Sequence, residues 1–334
     1  MPKLTMKDIA KAVGVSEMTV SRAFHDGAEI SNATRALVKN KAAELGYVPN
    51  KIAGALSSRK VNLVGVVIPS VKSYVFSEVL DGISQALHQS SLRPVFGLSN
   101  YDLETEAEVI CDMLAWRPAG LIIAGLEHAP AARKMLQETD TPIVEIMDVD
   151  GEAIQSSVGV SHYQAGHDMA QAIVARGYRQ IGFLGTKMSS DFRASKRLKG
   201  FIAGLEAQNI ILADQELYDA GSSVQKGKEF TKELLRRSPK LDCISCSTDI
   251  LAAGVVMHCL DAGLTIPDDL AVAGFNRLDM AQGLPVALAT TDSLRYDIGY
   301  QSAELVLQSY QNKLDEPLAQ RITLATAPFI GSSI

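Results

Sequence analysis

Cysteine is scarce in this chain. Cys111, Cys243, Cys246 and Cys259 are the only four in 334 residues, too few and too irregularly spaced for a disulfide framework. Cys243 and Cys246 form a C-x-x-C within the apolar run LDCISCS. With no second such pair and no histidine pair at ligand spacing, they read as buried thiols rather than a zinc or redox site. Long apolar runs are also missing: no stretch approaches the roughly 18 uninterrupted apolar residues of a membrane helix. The N-terminus is amphipathic and charged rather than signal-like, so a cytoplasmic protein is expected. The six histidines, His25, His88, His128, His162, His167 and His258, are scattered. There is no G-x-G-x-x-G after the first strand, no G-x-x-x-x-G-K-[ST], no G-x-S-x-G and no H-E-x-x-H, so no enzyme, cofactor or metal is expected.

The most informative segment present is LTMKDIAKAVGVSEMTVSRAF, residues 4–24. Thr5 with Asp8 three positions on is a capping-box-like start, and Ile9, Ala10 and Val13 recur at helical spacing until Gly14. Ser16 can cap a second helix that turns Val20, Ala23 and Phe24 inward and Glu17, Met18, Thr19, Ser21 and Arg22 outward. Short hydroxyl side chains and an arginine at a helix start suit base edges and phosphates, as in the second helix of a helix-turn-helix. Glu17, Met18 and Arg22 are expected to select the operator, with Thr5, Thr19 and Ser21 fixing register on phosphates. Ser31 then caps a third helix, NATRALVKNKAAEL, which stops at Gly46. Residues 1–60 hold ten Lys/Arg against five Asp/Glu, a net of +5, so against the chain total of −6 residues 61–334 sum to −11. Only the small N-terminal unit therefore carries the charge expected for phosphate contact. A helical hairpin of another domain with a solvated basic face is the alternative reading.

From Val61 short apolar runs alternate with helical ones: NLVGVVI (62–68), RPVFGLS (93–99), GLIIAG (120–125), PIVEIM (142–147), QIGFLG (180–185), LDCISC (241–246) and LAVAGF (270–275). That rhythm predicts parallel βαβ units in two doubly wound lobes, with ligand in the crevice at the carboxyl ends of the strands. Residues just past those ends are the candidate contacts: Ser70, Tyr74 and Phe76, then Asp148, the stretch holding Arg193 and Arg197, Asp249, and Asn276 to Asp279. Carboxylates, amides and aromatic walls of this kind bind sugars and sugar acids, and an arginine fixes a carboxylate bidentately.

The motif T-x-x-D-I-A-x-x-x-G-V-S-x-x-T-V-S-R, followed by E-L-G-Y-x-P-N and A-x-x-L, resembles the lactose/galactose repressor family of bacterial transcription regulators. The resemblance implies an all-α helix-turn-helix DNA-binding domain (1–48), a hinge or linker (49–60) and an α/β two-lobe periplasmic-binding-protein-like core with parallel sheets (61–334). Lobe 1 is expected at about 61–160 and 292–320, and lobe 2 at about 161–291 and 321–334. In the hinge, Asn50, Ala53 and Leu56 are implied DNA contacts, with Leu56 wedged into the minor groove when two copies pair over a palindromic site. Arg197, Asp148, Thr248, Asp249 and Asn276 align with effector-contacting positions of the family. Asn276 stands where sugar-binding members often have aspartate, which suits a neutral hexose less well. PSVKSYVFSEVLDGI, NYDLETEAE, PIVEIMDV and G-F-N-R-L-D look most like the gluconate-repressor branch, implying a gluconate-type effector. A regulator of a neutral sugar or sugar phosphate is the alternative. A sugar-binding transport protein would account for the core but not for residues 1–60. No C-terminal apolar heptads suggest a tetramerising coil, so a homodimer is expected.

Overall fold

The computed structural model describes residues 4–24, 29–49, 61–312 and 319–334. It divides into two compact units, Met1–Val61 and Asn62–Ile334. Asn50, Ala53 and Leu56 lie outside the described residues.

The first unit is three helices, α1 (Met6–Val13), α2 (Glu17–Ala23) and α3 (Asn32–Leu45). Local sequence sets each boundary. The Thr5 backbone N–H and hydroxyl donate to Asp8 Oδ2 at 2.8 and 2.7 Å, and Gly14 ends α1 in the left-handed region at φ 76°. Ser16 Oγ accepts from Thr19 N, Ser31 Oγ accepts from Thr34 N, and Gly46 closes α3 at φ 72°. Such caps contribute about 1 kcal/mol each. The helices meet over Ile9, Ala10, Val20, Ala23, Val38 and Ala42, with Phe24 and Tyr47 at the edge.

The second unit carries two open parallel sheets. In chain order its elements begin β1 (Val61–Ile68), α4 (Tyr74–Leu87), β2 (Arg93–Leu98), α5 (Leu103–Ala115), β3 (Pro118–Ala124), α6 (Pro130–Glu138), β4 (Ile143–Asp148) and β5 (Ser156–Val160). There follow α7 (His162–Ala175), β6 (Ile181–Thr186), α8 (Phe192–Glu206), β7 (Asp214–Tyr218), α9 (Val224–Arg237), β8 (Cys243–Cys246), α10 (Asp249–Ala262) and β9 (Ala271–Ala273). The chain closes with α11 (Asp279–Gln282), β10 (Thr290–Thr291), α12 (Arg295–Asn312), β11 (Arg321–Thr323) and β12 (Pro328–Phe329).

Lobe 1 is the six-stranded sheet β11-β5-β4-β3-β1-β2, and lobe 2 the four-stranded sheet β7-β6-β8-β9 beside the antiparallel ribbon β10-β12. Strands β3 and β4 are buried along their whole length, as expected where helices cover both faces of a parallel sheet. The expected lobe limits need one correction. Residues 321–323 belong to lobe 1, not lobe 2, because Arg321, Ile322 and Thr323 pair in parallel with Ser157, Val158 and Gly159. The chain therefore crosses between lobes at 160–162, 291–295 and 324–328.

Cys243 and Cys246 are buried on β8 and Cys259 on α10, while Cys111 is exposed, and all four are free. Burial pushes the Cys259 thiol up to about 11, and the two on β8 further still. Among the described residues no group of His, Cys, Asp or Glu could hold a metal, and no helix is long and apolar enough to cross a membrane.

Candidate functional site

In the first unit the expected DNA-contacting side chains sit on or just before α2. Ser16, Glu17, Met18 and Arg22 are exposed, Met18 at 65%, while Thr19 and Ser21 are half-buried. Thr5 is exposed at the start of α1, where its hydroxyl is bonded to Asp8. Ser16 also contacts the Thr19 hydroxyl at 3.0 Å, so these two groups orient the helix start as well as facing outward.

In the second unit a cleft of about 330 Å³ opens between the lobes, at the carboxyl ends of both sheets. This is where an open α/β sheet binds ligands, because strands end there and loops and helix starts converge. Ser70, Tyr74 and Phe76 line it from the loop after β1 and the start of α4; Arg193 and Arg197 come from α8, Thr248 from the start of α10, and Asn276 from the loop after β9. Among the described residues, Lys72, Lys187, Arg193 and Arg197 face it against a single carboxylate, Asp191. The cleft is therefore cationic although the unit as a whole is acidic.

Arg197 lies at the floor and is 8% exposed. Its Nη1 donates to His162 Nδ1 at 2.8 Å, its Nη2 donates to the Ser247 carbonyl at 3.0 Å, and its guanidinium lies 3.9 Å from the Phe275 ring centre. Burial draws its pKa down to about 10, so it stays charged at neutral pH. Its Nε and the Ser247 hydroxyl are both buried without a hydrogen-bond partner among the described residues. Buried polar groups are normally paired, and two unpaired ones in one cleft mark where a ligand's acceptors and donors would fit. The α7–α8 packing that sets this geometry depends on Gly166 and Gly200. A Cβ on either would run into the backbone carbonyl of Arg197 or Tyr163.

The rim carries a second cation. Lys187 Nζ sits 4.3 Å from the centre of the Tyr101 ring, joining lobe 2 to lobe 1. Burial, then the nearby Asp191, raises the Tyr101 pKa. Asn276 stands at φ 105°; its side-chain oxygen accepts from Ser293 Oγ, and its carbonyl from Arg295, which in turn grips Glu78 on α4 at 2.8 and 2.9 Å. A residue held in that region of φ costs of order 1–3 kcal/mol and persists only where its surroundings over-determine it.

Three expected contacts do not line the cleft. Asp148 is wholly buried: Lys196 Nζ reaches its Oδ2 at 2.5 Å and also Glu127 at 2.6 Å, so the carboxylate ties α8 of lobe 2 to lobe 1. Burial disfavours the charge on Lys196, but these two bonds outweigh it and raise its pKa. Asp249 turns away to accept from Leu278 N and Thr290 Oγ1, both at 2.7 Å, bracing the Asn276 loop from behind. Asp279 opens the short helix α11 and is exposed.

Sequence reasoning passed over Tyr101, Met147, His162, Ser247 and Phe275, all of which line the cleft. Tyr101 follows β2 and Phe275 follows β9, so the strand-end rule could have reached both. His162 is the first residue after the first crossing, and its signal was hidden because β5, a strand with two serines, has no apolar run to mark it.

Comparison with known proteins agrees with this architecture. The family described as "Bacterial regulatory proteins, lacI family" matches residues 5–50, and "Periplasmic binding proteins and sugar binding domain of LacI family" matches residues 62–333. The HTH-type transcriptional regulator GntR of Escherichia coli K12 is 32% identical over 98% of both chains. The crystal structure of a LacI-family transcriptional regulator from Silicibacter pomeroyi superposes with a TM-score of 0.94 at 49% identity, covering 99% of each chain. The lac repressor dimer bound to operator shares the fold, with a TM-score of 0.84 at 23% identity over 99% of each chain.

Proposed function

We propose that this chain, which belongs to the LacI family of bacterial regulatory proteins, is a cytoplasmic repressor of a sugar-acid catabolic operon, released from its operator by a gluconate-type anion bound between the core lobes. It acts as a homodimer on a palindromic operator, because one helix pair makes too few base contacts for useful specificity. Glu17, Met18 and Arg22 read base edges; Thr5, Thr19 and Ser21 hold register on phosphates; Ser16, Asn50 and Ala53 also contact DNA, and Leu56 wedges into the minor groove.

The observation that carries the effector reading is the floor of the cleft. There a buried guanidinium with an unpaired Nε lies beside an unpaired serine hydroxyl, in a cleft with four cations and one carboxylate. A carboxylate takes the guanidinium, and the remaining hydroxyls of a polyol chain meet Ser70, Thr248 and Asn276. Lys187 at the rim favours a sugar phosphate as the second reading, since it offers a separate cation for a second anionic end. A thermal-shift comparison of D-gluconate, 6-phosphogluconate and D-glucose tests this. A midpoint raised by gluconate or 6-phosphogluconate and unmoved by glucose supports an acid effector; a response to glucose alone overturns it.

A further inference from the structure

His162 stands between the two lobes and touches both. On one side its Nε2 lies 2.9 Å from the Met147 carbonyl of β4, in lobe 1; on the other its Nδ1 lies 2.8 Å from Nη1 of Arg197 on α8, in lobe 2. A carbonyl can only accept and a guanidinium can only donate. The imidazole must therefore be neutral, with its proton on Nε2 and its lone pair on Nδ1, and any added proton would point at Arg197. The charged groups around it are Arg197 and Arg193 of α8 and the α8 N-cap Asp191; the Phe275 ring, centred 5.7 Å away, covers another side. Burial and then Arg197 hold its pKa well below the ordinary 6.5.

The carbonyl that receives Nε2–H is itself held in an uncommon way. Met147 sits at φ 78°, a left-handed conformation rare for a residue with a side chain. Opposite it in the parallel ladder is Gly159, where a Cβ would collide with the backbone of Met147 and Asp148. The strand thus bends at its last residues, and Gly159 makes room for the bend. Strain of this kind persists where it is part of a site.

We propose that His162 is a positioning residue of the effector site: anchored on the Met147 carbonyl of lobe 1, it sets the Arg197 guanidinium of lobe 2 for an anionic ligand. The setting then depends on where lobe 1 stands. Closing or opening the cleft moves Met147, the imidazole follows, and Arg197 loses or gains the geometry that grips a carboxylate. Ligand affinity and lobe position become one equilibrium. The inference rests on the effector reading above, but part of its test does not.

The experiment combines two measurements on the full chain. The first is nitrogen NMR of protein labelled with 15N-histidine, with the His162 signals identified by their loss in His162→Asn. A neutral Nε2–H tautomer that does not titrate between about pH 8 and 5.5 is expected; an Nδ1–H tautomer, or titration near the ordinary value, overturns the proposal. The second is calorimetry with D-gluconate. His162→Ala should weaken binding by about tenfold or more, because Arg197 loses an acceptor. His162→Asn, whose amide oxygen can take the Nδ1 position but which has no donor at the Nε2 position to reach the Met147 carbonyl, should recover only part of that loss and bind between the wild type and the alanine variant. Equal binding by wild type and the alanine variant, or wild-type affinity in the asparagine variant, would overturn the proposal. If His162→Ala does not fold, the asparagine variant and the tautomer still decide. If wild type does not bind gluconate, the gluconate reading falls, while the NMR result still judges His162.

Discussion

Two buried histidines lie in the same core and behave in opposite ways. Behind the lobe 1 sheet, His128 is clamped between Glu106 at 2.6 Å and Glu145 at 3.1 Å, and the other oxygen of Glu145 accepts from Ile154 N. Both ring nitrogens of His128 and both oxygens of Glu145 are paired within one lobe. At the crossing between lobes, His162 faces a guanidinium instead, and the network ends in an Arg197 Nε and a Ser247 hydroxyl that have no partner among the described residues. A closed polar network rigidifies and stabilises, whereas an open one leaves binding capacity for something else. The first region holds lobe 1 together; the second waits for a ligand.

Breaking the closed network should have the largest effect. His128→Ala leaves two buried carboxylates without their cation and is expected to cost about 3–5 kcal/mol of stability, read by denaturant unfolding. The same region has a pH signature. The two glutamates, working against burial, raise the His128 pKa from 6.5 to about 9. The net stabilisation of the protonated imidazole, about 3 kcal/mol, is complete below pH 6.5 and is lost as pH rises through 9. Wild type should therefore lose stability between pH 7 and 9.5 relative to His128→Gln. Parallel pH curves for the two proteins would show that the triad is not charged.

A smaller effect is expected at the link between the regions. Lys196 joins α8 to Asp148 and Glu127 of lobe 1, so Lys196→Met should cost about 2 kcal/mol and leave the cleft more open to solvent. Small-angle scattering of the unliganded protein would detect the opening. An unchanged scattering profile and midpoint would reduce this contact to a surface ion pair. Smallest is the change in the first unit. Met18→Gln should leave the midpoint within about 0.5 kcal/mol and shift operator preference at one base pair by about 1 kcal/mol, measured with a set of operator variants.

The same contrast separates what was legible in the sequence from what was not. The three N-terminal helices were fully legible because each begins and ends on a local signal: Thr5 with Asp8, Gly14, Ser16, Ser31 and Gly46. Strands with apolar runs, such as Val61–Ile68 and Pro118–Ala124, were legible for the same reason. Strands β5, β7 and β11 were not, since SSVGV, DQELY and RIT owe their conformation to pairing with neighbours rather than to an apolar pattern. In the cleft, position past a strand end located Ser70, Tyr74, Phe76 and Asn276, and the family resemblance added Thr248, but neither could tell which carboxylates were already occupied. Asp148 and Asp249 stand at suitable places and point elsewhere, one to Lys196 and one to Leu278 and Thr290. Arg197 meets His162 and Ser247 across 35 and 50 residues, a separation at which local pattern carries no information.

The central claim, that the open network is an anion switch for operator binding, is tested most directly by titrating operator DNA in the presence and absence of D-gluconate with wild type and Arg197→Met. Arg197→Met keeps the side-chain length but leaves His162 Nδ1 and the Ser247 carbonyl without their donor, at a cost of about 1–3 kcal/mol, so the unfolding midpoint of the variant is measured beside the titration to show that it is folded. The account predicts that gluconate weakens operator binding by wild type roughly 5–150-fold, that operator weakens gluconate by the same factor, and that Arg197→Met binds operator normally and ignores gluconate. Release of Arg197→Met at the wild-type gluconate concentration would contradict it.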